Sequence, residues 1–181
     1  MKKIILKCRL KNRDDFERKL SDIDMDFGSV YWQYDRVFVP RGYKPHSSYP
    51  RLIMRTEMRA LDRPPRYEFI MKRHVEDSGI DIVDATVVRD YSETVKIIQQ
   101  LGFKLEAEIS RRRQEITMES GIKLYLDKVE NVDGYYAKME AVLTEDDKVS
   151  EVREEIMNTF KTLGQSNFSG DGYYEMVRNN I

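Results

Sequence analysis

The sequence predicts an α+β fold, with eight antiparallel strands and flanking helices. Apolar and polar residues alternate with a period of two through eight short runs, at about 3–10, 29–39, 51–58, 66–73, 81–89, 105–117, 121–128 and 135–143. Three other stretches carry apolar residues at three- and four-residue spacing. Charged residues make up 35% of the chain, which alone would suggest disorder, but 40% are hydrophobic and fall in these runs, so the chain folds.

Taken in order, the first strand, 3–10, gives way to a helix over 13–25, where Asn12 is placed to cap and Phe16, Leu20 and Ile23 form the stripe. The loops at 40–50 and 59–65, rich in Pro, Arg and Tyr, read as mobile or ligand-facing. Ser92 is the expected cap of a second helix carrying Val95, Ile98 and Leu101, and Gly102 sits where a left-handed residue would stop it. In segment 105–117 both faces are polar: Ile109, Arg111, Arg113, Glu115 and Thr117 share one, while Ser110, Arg112 and Gln114 share the other. Strand 121–128 is cleaner, with Ile122, Leu124 and Leu126 opposite Lys123, Tyr125 and Asp127. A third helix is expected from Thr144, with an acidic first turn, a stripe of Val149, Val152, Ile156 and Phe160, and Gly164 at its end.

No linker divides the 181 residues, so one domain, 1–181, is expected. Lys plus Arg number 31 against 32 Asp plus Glu, a balance with no bulk attraction for nucleic acid or membrane. A single cysteine, no signal peptide and no apolar run of membrane-spanning length imply a cytoplasmic protein. Cys8 reads as a packed thiol, and His46 and His74 as surface histidines without metal-like spacing. Tyr31, Trp32 and Tyr34 could stack a nucleobase or pack under a helix, and Met54, Met58, Met71 and Met118 read as core filling. Strands with one apolar and one charged face form either a sandwich with its charge in bulk water or a barrel with its charge in a solvated lumen. Periodicity does not choose between them.

Local strings do. Gln33, Asp35 and Phe38 lie on the second strand, Arg55 on the third and Lys72 on the fourth. Leu101, Gly102 and Phe103 lead through Arg111 and Arg113 to Leu124, Tyr125, Leu126 and Asp127, then to Gly134, Tyr135 and Tyr136, and the chain closes on Tyr174, Glu175, Met176 and Val177. In order and spacing these strings resemble the CYTH family, which includes class IV adenylate cyclases and triphosphatases acting on thiamine triphosphate or inorganic triphosphate. The resemblance covers nearly the whole chain and implies a closed eight-stranded antiparallel β-barrel, a tunnel. It departs from the family at particular chemical positions. The family's opening ExExK is here Lys3, Ile4, Ile5, Leu6, Lys7, and its late ExE is Lys138, Met139, Glu140. Three carboxylates of the family's metal site are thereby lost.

In the register that the resemblance implies, Lys3, Lys7, Arg55, Lys72, Arg111, Arg113, Lys123 and Lys138 face the lumen with Glu57, Glu68, Glu115, Asp127 and Glu140, eight cations against five acids. A polyanion suits such a space, because Coulomb attraction strengthens as the effective dielectric constant drops from ~80 toward ~20. Arg55, Arg111 and Arg113 are the expected phosphate clamps. Lys7, Arg55 and Lys72 are the expected catalytic residues, with Lys7 stabilising the departing phosphate; Lys3, Arg111, Arg113, Lys123 and Lys138 are expected to bind substrate. Asp127, Glu140 and Glu57 are the candidate ligands of Mg²⁺ or Mn²⁺, with ion pairing to nearby lysines as their alternative role. The expected partner is a small-molecule triphosphate or polyphosphate, with homodimerisation left open. Two readings of function follow. One is metal-dependent triphosphatase or adenylate cyclase chemistry; the other is binding without catalysis after loss of the metal site.

Overall fold

The computed structural model describes residues 1–44, 49–75, 78–169 and 172–178. Eight strands follow in chain order: β1 (Lys2–Arg9), β2 (Tyr31–Val39), β3 (Arg51–Met58), β4 (Arg66–Val75), β5 (Ile80–Val88), β6 (Lys104–Thr117), β7 (Lys123–Val129) and β8 (Tyr136–Leu143). Hydrogen-bonded neighbours run β5-β4-β3-β2-β6-β7-β8-β1, and β1 returns to β5 through Lys2↔Ile82, Lys3↔Asp81 and Ile4↔Ile80. Every pairing is antiparallel. The return closes the sheet, which decides for a barrel and against a sandwich. A short strand, β9 (Phe168–Ser169), pairs with β1 at Lys7 and Cys8, beyond the stretch that β5 occupies.

Period-two alternation gives most strands an outer apolar face and an inner charged one, though β6 is polar on both faces and β5 turns Val83 and Ala85 inward. Helices α1 (Arg13–Ser21) and α3 (Val149–Thr162) cover one side of the wall, burying Phe16, Leu20, Ile156 and Phe160 against Ile4, Leu6, Leu124 and Met139. Helix α2 (Tyr91–Gln100) covers another, with Val95 and Ile98 on Phe38, Leu52 and Met54. Each such side chain contributes about 1.5–3 kcal/mol of burial, so most of the core lies outside the barrel, while Val37 and Ile109 face inward and cluster with Tyr173 and Tyr174. The six-residue α4 (Tyr173–Arg178) stands at one mouth. Among the described residues no helix is long and apolar enough to cross a membrane.

Several local expectations need correction. Asn12 does cap α1, accepting from the Asp15 N–H at 3.1 Å, but the helix ends at Ser21 rather than 25. Asp24 there takes φ 56°, the Met25 N–H returns to the Leu20 carbonyl, and Ile23 is left exposed. The cap of α2 is Asp90, whose carboxylate accepts from the Glu93 N–H at 2.9 Å, and not Ser92. Helix α3 begins at Val149 rather than Thr144, because the Asp147 carboxylate takes both the N–H and the hydroxyl of Thr144 and holds a turn before the helix. Gly102 and Gly164 take φ 88° and 76° just past their helices, the conformation expected of them. Met54 and Met118 are core residues, whereas Met58 and Met71 are exposed. Tyr31 points inward, so the expected aromatic cluster is split across the wall, leaving Trp32 49% exposed on the outer surface. Cys8 is buried, and burial pushes its thiol up to about 12, so it is a packed thiol. His46 lies outside the described residues.

A charged lumen with two unlike walls

Inside the barrel a cavity of about 350 Å³ opens toward the mouth formed by Lys3, Arg59, Arg66 and Lys123. A second, of about 110 Å³, continues past Arg55 and Lys72 to Lys7, Arg51 and α4. Of the residues expected at the site, Lys3, Lys7, Arg55, Glu57, Lys72, Arg111, Arg113, Lys123, Lys138 and Glu140 line these cavities. Asp127 sits immediately behind them, fully buried. Lys123 is exposed at the rim.

Along β3-β2-β6-β7 the wall is built of arginines, each bound to a carboxylate. Asp35 takes both donors of Arg55 at 2.7 and 3.0 Å and a third from Arg111 at 2.8 Å. Asp127 takes Arg113 in a two-bond fork at 2.6 and 2.7 Å, and the Tyr173 hydroxyl at 2.7 Å. Between them the Gln33 carbonyl oxygen accepts from Arg111 and Arg113, and its amide donates to Glu57 at 2.7 Å. Burial alone would raise the Asp35 carboxyl, but Arg111 and Arg55 hold it well below the usual carboxylate range; Arg113 does the same for Asp127. Toward the mouth Arg59 bridges Glu57 and Glu115, and Glu115 also accepts the Tyr31 hydroxyl. The three expected phosphate clamps are therefore already engaged by protein acids.

The opposite wall, β8-β1-β5-β4, is built of lysines. Glu140 lies between the ammonium groups of Lys3 at 2.9 Å and Lys138 at 2.8 Å, and Asp81 binds Lys72 at 2.8 Å. His74 also meets Asp81, at 3.2 Å, so it is a half-buried partner of the wall rather than a free surface histidine. Lys7, buried between these groups, is pushed from 10.5 down to about 7, first by burial and then by repulsion from Lys72 and Lys138. Burial likewise lowers Lys138 to about 7, against the pull of Glu140. The Glu140 carboxyl resists the upward push of burial because Lys138 and Lys3 flank it, and it stays far below the usual range. Among the described residues this wall carries Lys3, Lys7, Lys72 and Lys138 against Glu140, Asp81 and Glu68, and Glu68 is paired with Arg66 of its own strand, where the arginine wall is paired nearly one to one.

A divalent cation needs several oxygen ligands free to converge. The donor set here does not fit one. Glu140 is clasped by two ammonium groups, Asp127 is spent on a guanidinium and a phenol, and Glu57 is taken by Gln33 and Arg59. Among the described residues no three acids, histidines or cysteines gather as a metal site.

Sequence reading missed several members of the site. Asp35 and Gln33 were visible as part of a strand motif but carried no assigned role, although both lie on the alternating face that begins with Tyr31. Arg51 precedes Arg55 by four residues and shares its face, a signal that was available. Asp81 opens a strand whose partner on β4 only the pairing reveals. Tyr173 and Glu175 enter from the C-terminal segment, and no periodicity points to them.

A CYTH domain model matches residues 1–173. No curated protein matches the chain. Among solved structures, the PH1819 protein of Pyrococcus horikoshii superposes with a TM-score of 0.84 at 18% identity, covering 99% of each chain. A "putative adenylate cyclase" of Vibrio parahaemolyticus gives 0.77 at 15% identity, covering 97% of each. A "putative adenylyl cyclase" of Hippeastrum, described as revealing a dominant triphosphatase activity, gives 0.64 at 14% identity, covering 99% of this chain and 96% of that one. At these identities the likeness is one of fold.

Proposed function

The chain belongs to the CYTH family, and from that premise we propose that its tunnel binds a triphosphate or another polyphosphorylated small molecule along the lysine wall, with the protein's own ammonium groups in place of a bound metal ion. The observation that carries this reading is the position of Glu140. The acid retained from the family's late pair is held between Lys3 and Lys138, and these two lysines stand where the family's pattern has carboxylates. Cations of this wall outnumber its acids and depress one another's affinity for protons, so an entering polyanion relieves repulsion as well as gaining charge-assisted hydrogen bonds. The arginine wall, its charge largely matched by acids, contributes shape. The cavity of about 350 Å³ is of the size that small-molecule sites take.

Calorimetric titration with inorganic tripolyphosphate, ATP and thiamine triphosphate, in Mg²⁺ and in chelator, tests this reading. Affinity should survive the chelator and fall as salt is raised. Binding that disappears with the chelator would overturn the metal-free reading. Phosphate or cyclic nucleotide release in Mg²⁺ or Mn²⁺ that is lost in an Arg111, Arg113 double variant would establish the enzymatic alternative, for which the Hippeastrum neighbour's described activity is the support.

A further inference from the structure

The mouth beside α4 holds an acid that the reading above does not use. Glu175 is buried there, and one of its carboxylate oxygens accepts from the Arg51 guanidinium at 2.7 Å. Its second oxygen, Oε2, accepts no hydrogen bond among the described residues. Burial would raise this carboxyl, but Arg51 first, and then Lys7 and Lys72, hold it below the ordinary glutamate value. The carboxylate thus sits in the field of three cations from three strands, β3, β1 and β4. Its seat is tight: a Cβ on Gly172 would overlap Oε2 and stand 3.7 Å from Lys7 Nζ.

The helix that carries Glu175 is short. It is six residues long, and its Tyr173 and Tyr174 join the buried cluster of Val37, Ile109, Val129 and Tyr136, with the Tyr173 hydroxyl on Asp127 at 2.7 Å and edge-on ring contacts of Tyr173 with Tyr136 and of Tyr174 with Tyr43. Helices this short have no stability of their own in water. The rings of Tyr173 and Tyr174 also cover cations, Tyr173 under Lys7 at 4.9 Å and Tyr174 under Arg51 at 5.2 Å. An anionic side chain and two π-faces therefore stand at the end of the tunnel, on a six-residue helix.

We propose that Arg51, Lys7 and Lys72 form an anion subsite at this mouth that receives one end of the polyphosphate chain, and that Glu175 is its internal occupant, displaced with α4 when the ligand enters. This rests on the polyphosphate reading. Two negative groups cannot share the same three cations at close range, so the tail and the ligand compete, and the apparent affinity is reduced by the fraction of molecules whose subsite the tail fills.

The test uses inorganic tripolyphosphate in chelator with the whole chain and two variants. Glu175→Gln removes the competing charge, while Gly172→Ala keeps the charge and pushes the carboxylate from its seat. If the tail fills the subsite nine times in ten, Glu175→Gln should bind about tenfold more tightly, with a smaller gain for Gly172→Ala. Should one variant fail to fold, the other carries the test. Backbone amide exchange over 173–178 should quicken when tripolyphosphate binds the unaltered chain, which a mere change in lumen charge would not cause. Unaltered-chain binding that neither variant tightens, or slower exchange over 173–178 on binding, overturns the subsite and leaves the polyphosphate reading standing. No binding by any of the three proteins overturns both, and binding by the variants alone supports the competition.

Discussion

The two walls of the tunnel solve one problem in opposite ways. Both bury charge inside a closed barrel. On the arginine wall Arg55 and Arg113 each grip a carboxylate in a two-bond fork and Arg111 reaches Asp35 by one bond, so acids are held ionised and the groups form a rigid, largely neutral lattice. On the lysine wall the ammonium groups crowd a smaller number of acids, and Lys7 is pushed to about 7, first by burial and then by repulsion from Lys72 and Lys138. The difference teaches that a cationic lumen need not be uniformly available to a ligand. The arginines, which first suggest phosphate clamps, are spent on holding the barrel in shape, whereas the lysines outnumber the acids beside them.

The largest effect expected from breaking this contrast is on stability. Asp127→Ala leaves Arg113 buried and uncompensated and should cost roughly 3–5 kcal/mol in urea unfolding. A loss below about 1 kcal/mol would show that the arginine wall is not structural. On the other wall the effect should appear mainly in binding: Lys72→Met should weaken tripolyphosphate about 10- to 100-fold, the value of one charge-assisted contact, with a smaller loss of stability than Asp127→Ala, because His74 still faces Asp81. An equal loss of affinity and stability would erase the distinction between the walls.

The third prediction concerns pH. The folded-state value of Lys7 is depressed, so the unfolded chain binds that proton more tightly, and stability should rise as pH climbs from about 7 toward 10.5. The paired carboxylates give the same sign of slope in a lower window: Asp35 and Asp127 are held below their ordinary values, so their contribution is present above about pH 4 and lost as acid protonates them. Lys7→Met should roughly halve the alkaline rise, the rest coming from Lys138, and stabilise the protein by on the order of 1–3 kcal/mol at pH 6, while leaving the acid limb unchanged. An unaltered alkaline rise in the variant would remove Lys7 as its source. The smallest effect belongs to the outer surface, where Asn12→Ala should cost about 1 kcal/mol through loss of the α1 cap and leave tripolyphosphate affinity unchanged.

Much of the fold was legible because one period carries most of it. Alternation located all eight barrel strands, and the helix stripes of Phe16, Leu20, Val95, Ile98, Ile156 and Phe160 are the residues that pack on the wall. Helix starts were less legible, since Asp90 and Ser92 are both good caps by residue type and only the geometry of the chain entering α2 selects Asp90. At the site, alternation correctly put Lys7, Arg55, Lys72, Arg111, Arg113 and Lys138 on inner faces. It could not tell which cations were spent, because Arg113 meets Asp127 across β6 and β7 and Arg55 meets Asp35 across β2 and β3, pairings that depend on register.

By itself, the amino-acid sequence determined which side chains share a strand face, and hence that a dense set of cations and acids must lie together on one side of the wall. That follows from the pleat, a local property of the backbone. Only the tertiary structure decided that the sheet closes, that arginines and lysines gather on opposite walls, and that Glu175 returns to the mouth from the far end of the chain. These features depend on which distant segments become neighbours, and the charge of each group is then set by those neighbours rather than by its residue type.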